Sequence, residues 1–495
     1  MPFPFADIRS FIADAEKEGS LQNVNGADPN LEIGGITEMV AAKANPSLLV
    51  FDKIMGYKPG FRITTNLFNT QARTARVLGL NENLRGIDLV KSWKQKMTQI
   101  SPIAPKEVSD GPVKENIMDG DKIDVNIFPA AKWGYLDGGN FLGTGCSVIT
   151  RHPDSGWVNV GTYRVMTIGK KNEVSINIAP GKHGDIIRKL YWERGRNCPI
   201  AICLGQEPSF FVAGGHFLTA AGESVFNFTG GLQGRPVEYI VGEKTGLPIP
   251  ATAEIVIEGE LIPVEKKSVM DGPFGEWPGY ITPAKKVPIV DIKRIYYRNN
   301  PIILGSPPLK PPMPEVLAVN VITSAALWRE IEQHMPDVKG VWCANEGGTG
   351  GTPGFFVVVA IKQRYPGHAK QAGMAAAACR AGAYAGRYVV VVDDDIDPSN
   401  LSDVVWSIAT RCDPLEGIDV IRDTWDSPVD PLLDPAKAEA GDFTTNRAII
   451  NSCRPYHKLS SFPPVIKVTP ETRRKILEKY PEIFKAEDKS MKSSN

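Results

Sequence analysis

Asp271-Gly-Pro-Phe-Gly-Glu276-Trp-Pro-Gly-Tyr280 is the most informative stretch of the chain. Two carboxylates five residues apart flank a Gly-Pro-Phe-Gly turn. A tight turn there brings both acids toward one pocket. Paired carboxylates in unlike environments are the usual recipe for one neutral proton donor beside one charged partner. A turn carrying incidental acids is the structural alternative. β-like runs at 255–262 and 289–297 stand on either side, so the stretch reads as a turn-rich excursion between two strands.

The same texture extends upstream to about residue 116. Short β-like runs at 146–150, 157–168, 174–178, 200–204 and 210–213 alternate with Gly, Pro and Asn, and one helix at 183–194 interrupts them. This spacing predicts a mainly antiparallel sheet or barrel. Before it come an amphipathic helix at 4–18, a buried strand at 48–51, a helix at 87–100 and a linker at 101–114. After it, the prolines of 307–312 cannot pair in a central strand and read as a rigid connector. Helices at 318–333, 369–380 and 401–410 then alternate with strands at 355–361 and 388–392, and 424–447 reads as loop. Thr469 and Pro470 give a good start signal for a last helix, and the polar tail from 485 reads as disordered.

With 495 residues, 42% hydrophobic and 23% charged, the composition excludes a disordered, collagen-like or disulfide-stapled chain. Lys plus Arg equals Asp plus Glu at 56, which argues against nucleic acid as the partner. Seven scattered cysteines without a C-x-x-C pair read as buried thiols in a reducing compartment. The N-terminus lacks a signal-peptide pattern, and no apolar run approaches the roughly 18 residues of a membrane span. A soluble cytoplasmic protein with no membrane partner is expected.

Other motifs carry weaker signals. The glycine-rich loop 346–354 lacks the lysine of a phosphate-binding P-loop and leads into a strand rather than a helix, so a flexible loop is expected. Asp393, Asp394, Asp395 and Asp397 offer a hard-cation site, with exposed caps and turns at a strand exit as the alternative. Lys182 and His183 stand at a strand-to-helix turn, where helix N–H groups attract anions. Arg164, on a run of apolar residues, needs an anionic partner if buried and none if it lies on the surface.

Taken together these motifs show a resemblance. Residues 271–280 resemble the E-G-P-F-G-E-x-x-G-Y signature of the UbiD family of reversible decarboxylases. Asn159 through Arg164 resembles the family's N-x-x-x-x-R strand, and Pro180-Gly-Lys-His183 its Pro-x-x-His turn. Tyr297-Arg-Asn-Asn300, Asp394-Asp-Ile-Asp397 and Trp406-Ser-Ile-Ala-Thr-Arg-Cys412 look like its later landmarks, so the likeness covers nearly the whole chain. It is nearest to members acting on phenolic or unsaturated acids, the ferulic acid and protocatechuate decarboxylase types.

The resemblance implies an α+β multidomain fold. Residues 1–114 would form an N-terminal α/β region and 115–306 a split-barrel flavin-binding domain. Residues 307–468 would form a C-terminal αβ oligomerisation domain, with 469–495 a helix and tail. It implies prenylated FMN, supplied by a flavin prenyltransferase and held through Mn2+ (or Mg2+) with K+ nearby. Asn159, His183 and Glu223 would be the metal ligands. Asn159, Val160, Gly161, Thr162, Tyr163, Arg164, Lys182, His183, Glu223 and Arg380 would contact the cofactor, and the turn at 213–217 would suit K+. Arg164, Asp271 and Glu276 would be catalytic, with Glu276 the proton donor. The family often has glutamate where this chain has Asp271, which shortens the reach by one methylene.

Lys182 and Trp277 favour a hydroxybenzoic acid of the protocatechuate or gallate kind, with CO2 as co-product, over a cinnamate or heteroaromatic acid. A solvated lysine and a packing tryptophan are the alternative. A homodimer or higher homo-oligomer is implied, with helix 369–380 and the following strand as candidates for the interface. Two other classes stay open: an ordinary FMN-dependent oxidoreductase on a split barrel, and a non-catalytic flavin-binding protein.

Overall fold

The computed structural model describes residues 3, 5–215, 218–312, 316–344, 354–383 and 386–484. The glycine-rich loop up to residue 353, His216 and Phe217 of the expected K+ turn, and the tail from 485 lie outside the described residues.

The first helix, Ile8–Lys17, begins later than the predicted 4–18 because Asp7 caps it. The Asp7 carboxylate accepts from Ser10 N at 2.8 Å, while Ser10 Oγ accepts from Asp7 N at 3.0 Å. Ile8, Phe11, Ile12 and Ala15 form its buried stripe. A four-stranded sheet lies beside it in the order Leu21–Asn25, Leu48–Asp52, Arg62–Thr65 and Ile302–Leu304. Its last strand comes from beyond residue 300, so the chain leaves this layer, builds the central sheet and returns. Two helices of this layer, Glu32–Ala41 and Gln71–Val77, were not anticipated.

The central sheet has ten antiparallel strands. Its path runs Phe141–Gly143, Arg164–Thr167, Glu173–Asn177, Lys285–Tyr297, Ile255–Leu261, Cys198–Leu204, Ser147–Arg151 and Val158–Gly161. Asn116–Asp119 and Ser268–Asp271 pair with the two ends of the long strand. The single run predicted at 157–168 is two strands. Val158–Gly161 is one edge of the sheet, and Arg164–Thr167 lies next to the other. Only Thr162 and Tyr163 join them, so Gly161 and Arg164 are three Cα steps apart, at most about 11 Å. The two ends must therefore curl together, and the sheet is a half-barrel whose seam falls at 162–163.

The predicted strand 210–213 is instead part of a helix, Pro208–Gly215. The Glu207 carboxylate accepts from Ser209 Oγ at 2.6 Å and from Phe210 N at 2.9 Å, which starts a helix. A short, wholly apolar run carries no period to separate helix from strand.

The C-terminal sheet runs Val338–Cys343, Phe356–Ile361, Tyr388–Asp393, Thr444–Ser452 and Ile418–Trp425. The last two strands enter the stretch read as loop only at its ends, 424–425 and 444–447. Tyr388–Asp393 is central in this sheet, and helix His368–Ala378 lays Ala369, Ala372, Gly373, Ala376 and Ala377 against it. Both elements expected to form a subunit interface are thus largely spent within the chain's own core. Met374 and Tyr388 stay exposed on those two elements, and further exposed apolar side chains lie on helix Leu401–Arg411, at Val405 and Trp406, and on edge strand Ile418–Trp425, at Val420 and Trp425.

In the Asp393 cluster only the first acid departs from the alternative of exposed caps and turns: Asp394, Asp395 and Asp397 are exposed, and Asp397 accepts from Ser399 N at 2.8 Å. Asp393 is buried, accepts from Arg454 Nε at 2.9 Å and from Gln363 Nε2 at 2.7 Å, and pairs with Arg411 at 3.3 Å. These donors, rather than solvent or a cation, satisfy it.

One apolar core spans the N-terminal layer and the C-terminal sheet, joined where helix Gly86–Met97 meets helix Val316–Glu332. All seven cysteines are free, and five are buried.

Candidate active site

The acid-bearing turn is built by two short hairpin ladders. Strand Ser268–Asp271 pairs with the start of Lys285–Tyr297, and Phe274–Gly275 pairs with Ile281–Thr282. Gly272 links them at φ +92°, a left-handed conformation that a side chain would strain. The proline connector supports the turn from below: a Cβ on Gly275 would lie 2.7 Å from Pro308 O.

These ladders bring Asp271 and Glu276 to Arg164, which leaves the seam of the half-barrel. Arg164 Nε donates to Asp271 Oδ1 at 2.7 Å, and Nη2 approaches the same oxygen at 2.6 Å. Ser175 Oγ donates to the other carboxylate oxygen at 2.8 Å. Arg164 Nη1 donates to Glu276 Oε1 at 3.3 Å. The guanidinium lies 4.8 Å from the Phe274 ring centre and 5.8 Å from that of Phe141. Side-chain exposure is 8% for Arg164, 0% for Asp271 and 26% for Glu276. The arginine and first acid form a buried ion pair, and the second acid faces open space.

Burial raises the Glu276 carboxyl above its ordinary value, helped by the Asp271 charge and opposed by Arg164 and Lys285. Lys182 and Lys285 are likewise accessible to solvent yet pushed below the usual lysine range by the protein around them. Accessible but desolvated side chains are what the walls of a cleft present.

Two of the expected metal ligands, His183 and Glu223, touch Trp157, two residues before Asn159. Asn159, 3% exposed, donates from Nδ2 to Thr150 Oγ1 at 3.4 Å. The His183 ring meets the Trp157 ring edge-on at 5.1 Å, and Trp157 Nε1 donates to Glu223 O at 2.8 Å. Burial and the Lys182 charge lower the His183 imidazole, holding it in the neutral form that ligates metals. The exposed Glu223 carboxylate turns back to accept from Ala220 N at 2.7 Å. Among the described residues no three His, Cys, Asp or Glu side chains are placed to hold a metal alone. A metal here would need the Asn159 amide and oxygens from a bound molecule.

The seam fits a bound cofactor. Thr162 Oγ1 is buried without a hydrogen-bond partner among the described residues. Beside it the backbone is bare: a Cβ on Gly214 would lie 2.9 Å from Val160 Cγ1, and one on Gly215 3.1 Å from Thr162 Oγ1. Tyr163 Oη accepts from Gly184 N at 3.1 Å, tying the seam to helix His183–Trp192. A phosphate or ring with polar edges would meet Thr162, Asn159, His183 and the helix start, a hard nitrogen and oxygen donor set.

Not every expected residue joins this constellation. Val160 points into a separate apolar cluster with Ile149, Ala201 and Phe210. Arg380 is exposed in the turn after helix His368–Ala378. The Trp277 ring packs on Phe355 of the C-terminal sheet region at 4.9 Å, and Arg387 covers the Phe355 ring at 4.6 Å. Sequence reasoning missed Ser175, Phe141 and Lys285. A hairpin reading of 271–285 would have paired Lys285 with Asp271, but Ser175 and Phe141 depend on strand order.

Known proteins match this arrangement along its length. Models of 3-octaprenyl-4-hydroxybenzoate carboxy-lyase, the UbiD family, match residues 12–93 (N-terminal domain), 106–311 (Rift-related domain) and 317–451 (C-terminal domain). A phenolic acid decarboxylase of Bacillus subtilis is 31% identical, over 95% of this chain and 94% of its own. A pyrrole-2-carboxylic acid decarboxylase of Pseudomonas aeruginosa is 31% identical over 91% of each. The structure of a UbiD-class enzyme from Pelotomaculum thermopropionicum in complex with FMN superposes with a TM-score of 0.82. It is 25% identical and covers 96% of this chain and 100% of its own.

Proposed function

The chain belongs to the UbiD family of carboxy-lyases, and on that premise we propose that it decarboxylates a hydroxybenzoic acid with prenylated FMN, using Glu276 as proton donor. The observation that carries the reading is a carboxyl raised by burial within hydrogen-bond reach of a buried arginine–aspartate pair. When bound, the prenylated flavin supplies the electron sink for the breaking carbon–carbon bond. Asn159, His183 and Glu223 would hold it through Mn2+ or Mg2+, with Thr162 beside it and K+ near residues 213–217.

The chain's own residues do the rest. Asp271 fixes the Arg164 guanidinium, so its remaining donors point the same way in every turnover. Glu276, whose carboxyl burial biases toward the protonated form, gives its proton to the carbon that has lost CO2 and is reprotonated through its exposed edge. In the carboxylation direction it accepts that proton. The dry walls around Arg164, Phe141 and Phe274 keep bulk water from competing.

The phenolic acid relative and Lys182 support a protocatechuate- or gallate-like substrate; the pyrrole-2-carboxylic relative favours a heteroaromatic acid instead. The reading extends to a cytoplasmic homodimer or larger homo-oligomer loaded by a flavin prenyltransferase. It divides the chain after residues 114, 306 and 468. The exposed apolar side chains on Leu401–Arg411 and Ile418–Trp425 support the C-terminal part as its interface.

The test is CO2 release by protein co-expressed with a flavin prenyltransferase, on protocatechuate, gallate, vanillate, cinnamate, ferulate and pyrrole-2-carboxylate. Turnover of a hydroxybenzoate, absent in Glu276→Gln, is expected. Turnover of pyrrole-2-carboxylate or cinnamates alone would overturn the substrate class. No CO2 with the modified flavin bound would overturn the reaction.

A further inference from the structure

Lys285 lies directly opposite Asp271 in the antiparallel ladder between Ser268–Asp271 and Lys285–Tyr297. Residues opposite each other in such a ladder project from the same face. The lysine therefore leaves the sheet on the side where Asp271 meets Arg164. Asp271 is fully taken up by Arg164 and Ser175. Lys285 is exposed and makes no hydrogen bond or ion pair among the described residues. Its ammonium acts electrostatically on Glu276, and Glu276 and Asp271 act on it in return.

The charges around the cleft then do not cancel. Arg164 and Asp271 neutralise each other within the buried pair. Burial biases Glu276 toward its neutral form, so within the set of Arg164, Asp271, Glu276 and Lys285 the lysine ammonium is the charge that the buried pair does not take up. An ionised monocarboxylic acid brings one negative charge, and a decarboxylated neutral product brings none. A lysine is suited to this task as a compact point charge on a flexible stem.

We propose that Lys285 is the cation that recognises the ionised carboxylate of the substrate acid at the mouth of the Arg164–Asp271–Glu276 cleft. This inference rests on the decarboxylase reading of the same site. It makes Lys285 a specificity residue that discriminates acid from product. The contact exists before carbon–carbon cleavage, so its loss acts on KM more than on kcat.

The experiment is calorimetric binding of 3,4-dihydroxybenzoate and of catechol to the flavin-loaded protein in the Glu276→Gln background, which blocks turnover. The acid is expected to bind at least about tenfold more tightly than catechol. Lys285→Met should remove about tenfold of the acid's affinity and leave catechol within about twofold. Lys285→Arg should restore part of the loss. Lys286→Met, whose side chain leaves the opposite face beside Met270, should change neither ligand. An acid preference that survives Lys285→Met overturns the proposal, and so does its absence from the background protein. CO2 release by the unsubstituted enzyme is read separately. A Lys285-dependent preference without CO2 release would keep the recognition role and discard the reaction.

Discussion

Asp271→Ala strands the Arg164 guanidinium. The aspartate accepts from Nε at 2.7 Å and stands 2.6 Å from Nη2, with both side chains almost fully buried. Removing one member of a buried pair typically costs about 3–5 kcal/mol, because the other charge stays desolvated. The Ser175 hydroxyl also loses its acceptor, worth about 1 kcal/mol. Glu276 offsets part of this: its Oε1 lies 3.3 Å from Nη1 and can ionise to face the freed guanidinium. A net loss of about 3 kcal/mol is expected. Adding Arg164→Met removes the stranded charge and should recover about 2 kcal/mol. Urea unfolding followed by tryptophan fluorescence reads both values as midpoint shifts at constant slope. A single-variant loss under about 1 kcal/mol, or no recovery in the double variant, would refute the buried-pair reasoning.

Glu276→Gln should lower kcat by about 100-fold or more. It should also change the pH dependence of stability. The folded-state pKa of Glu276 lies above its ordinary 4.5, so the folded protein holds that proton where the unfolded chain has released it. Native stability then carries a penalty that is absent below pH 4.5 and grows as pH rises through the folded value. The variant should match the parent at low pH and equal or exceed it at pH 8 in thermal midpoint; a variant that loses stability only at high pH contradicts the shift. Gly161→Ala places a Cβ 2.5 Å from Tyr163 Oη, so it should cost about 1–3 kcal/mol and lower flavin occupancy, measured by melting temperature and absorbance. Trp277→Ala loses the Phe355 ring contact, worth about 0.5–1.5 kcal/mol beyond its buried area. It should lower the thermal midpoint; an unchanged midpoint would make the tryptophan a bystander.

Much of this was legible in the chain. Helix His183–Trp192, the last helix from Pro470 and the buried strands Phe356–Ile361 and Tyr388–Asp393 lie close to where period and punctuation put them. So did the string bearing Asp271 and Glu276, because a turn and its acids are local in sequence. What failed was whatever depended on partners far along the chain. The run 157–168 looks continuous until the sheet is seen to close at Thr162 and Tyr163. Strand Ile418–Trp425 was not anticipated because an edge strand exposing Val420 and Trp425 shows little of the expected alternation. The alanine-rich helix looked like an interface because a small-residue stripe packs equally well against its own sheet or another subunit.

Sequence by itself determined which chemical groups are available: two acids, one arginine, a histidine at a helix start and the Gly-Pro-Phe-Gly turn between the acids. Those are covalent facts, and local sterics place each on its element. Only the tertiary structure decided their states. It buried Asp271 against Arg164 and Ser175, left Glu276 at an open but desolvated edge, and set Lys285 across the ladder with no side-chain partner among the described residues. Protonation and ion pairing follow from dielectric and distance between residues about a hundred positions apart, which local sequence does not encode.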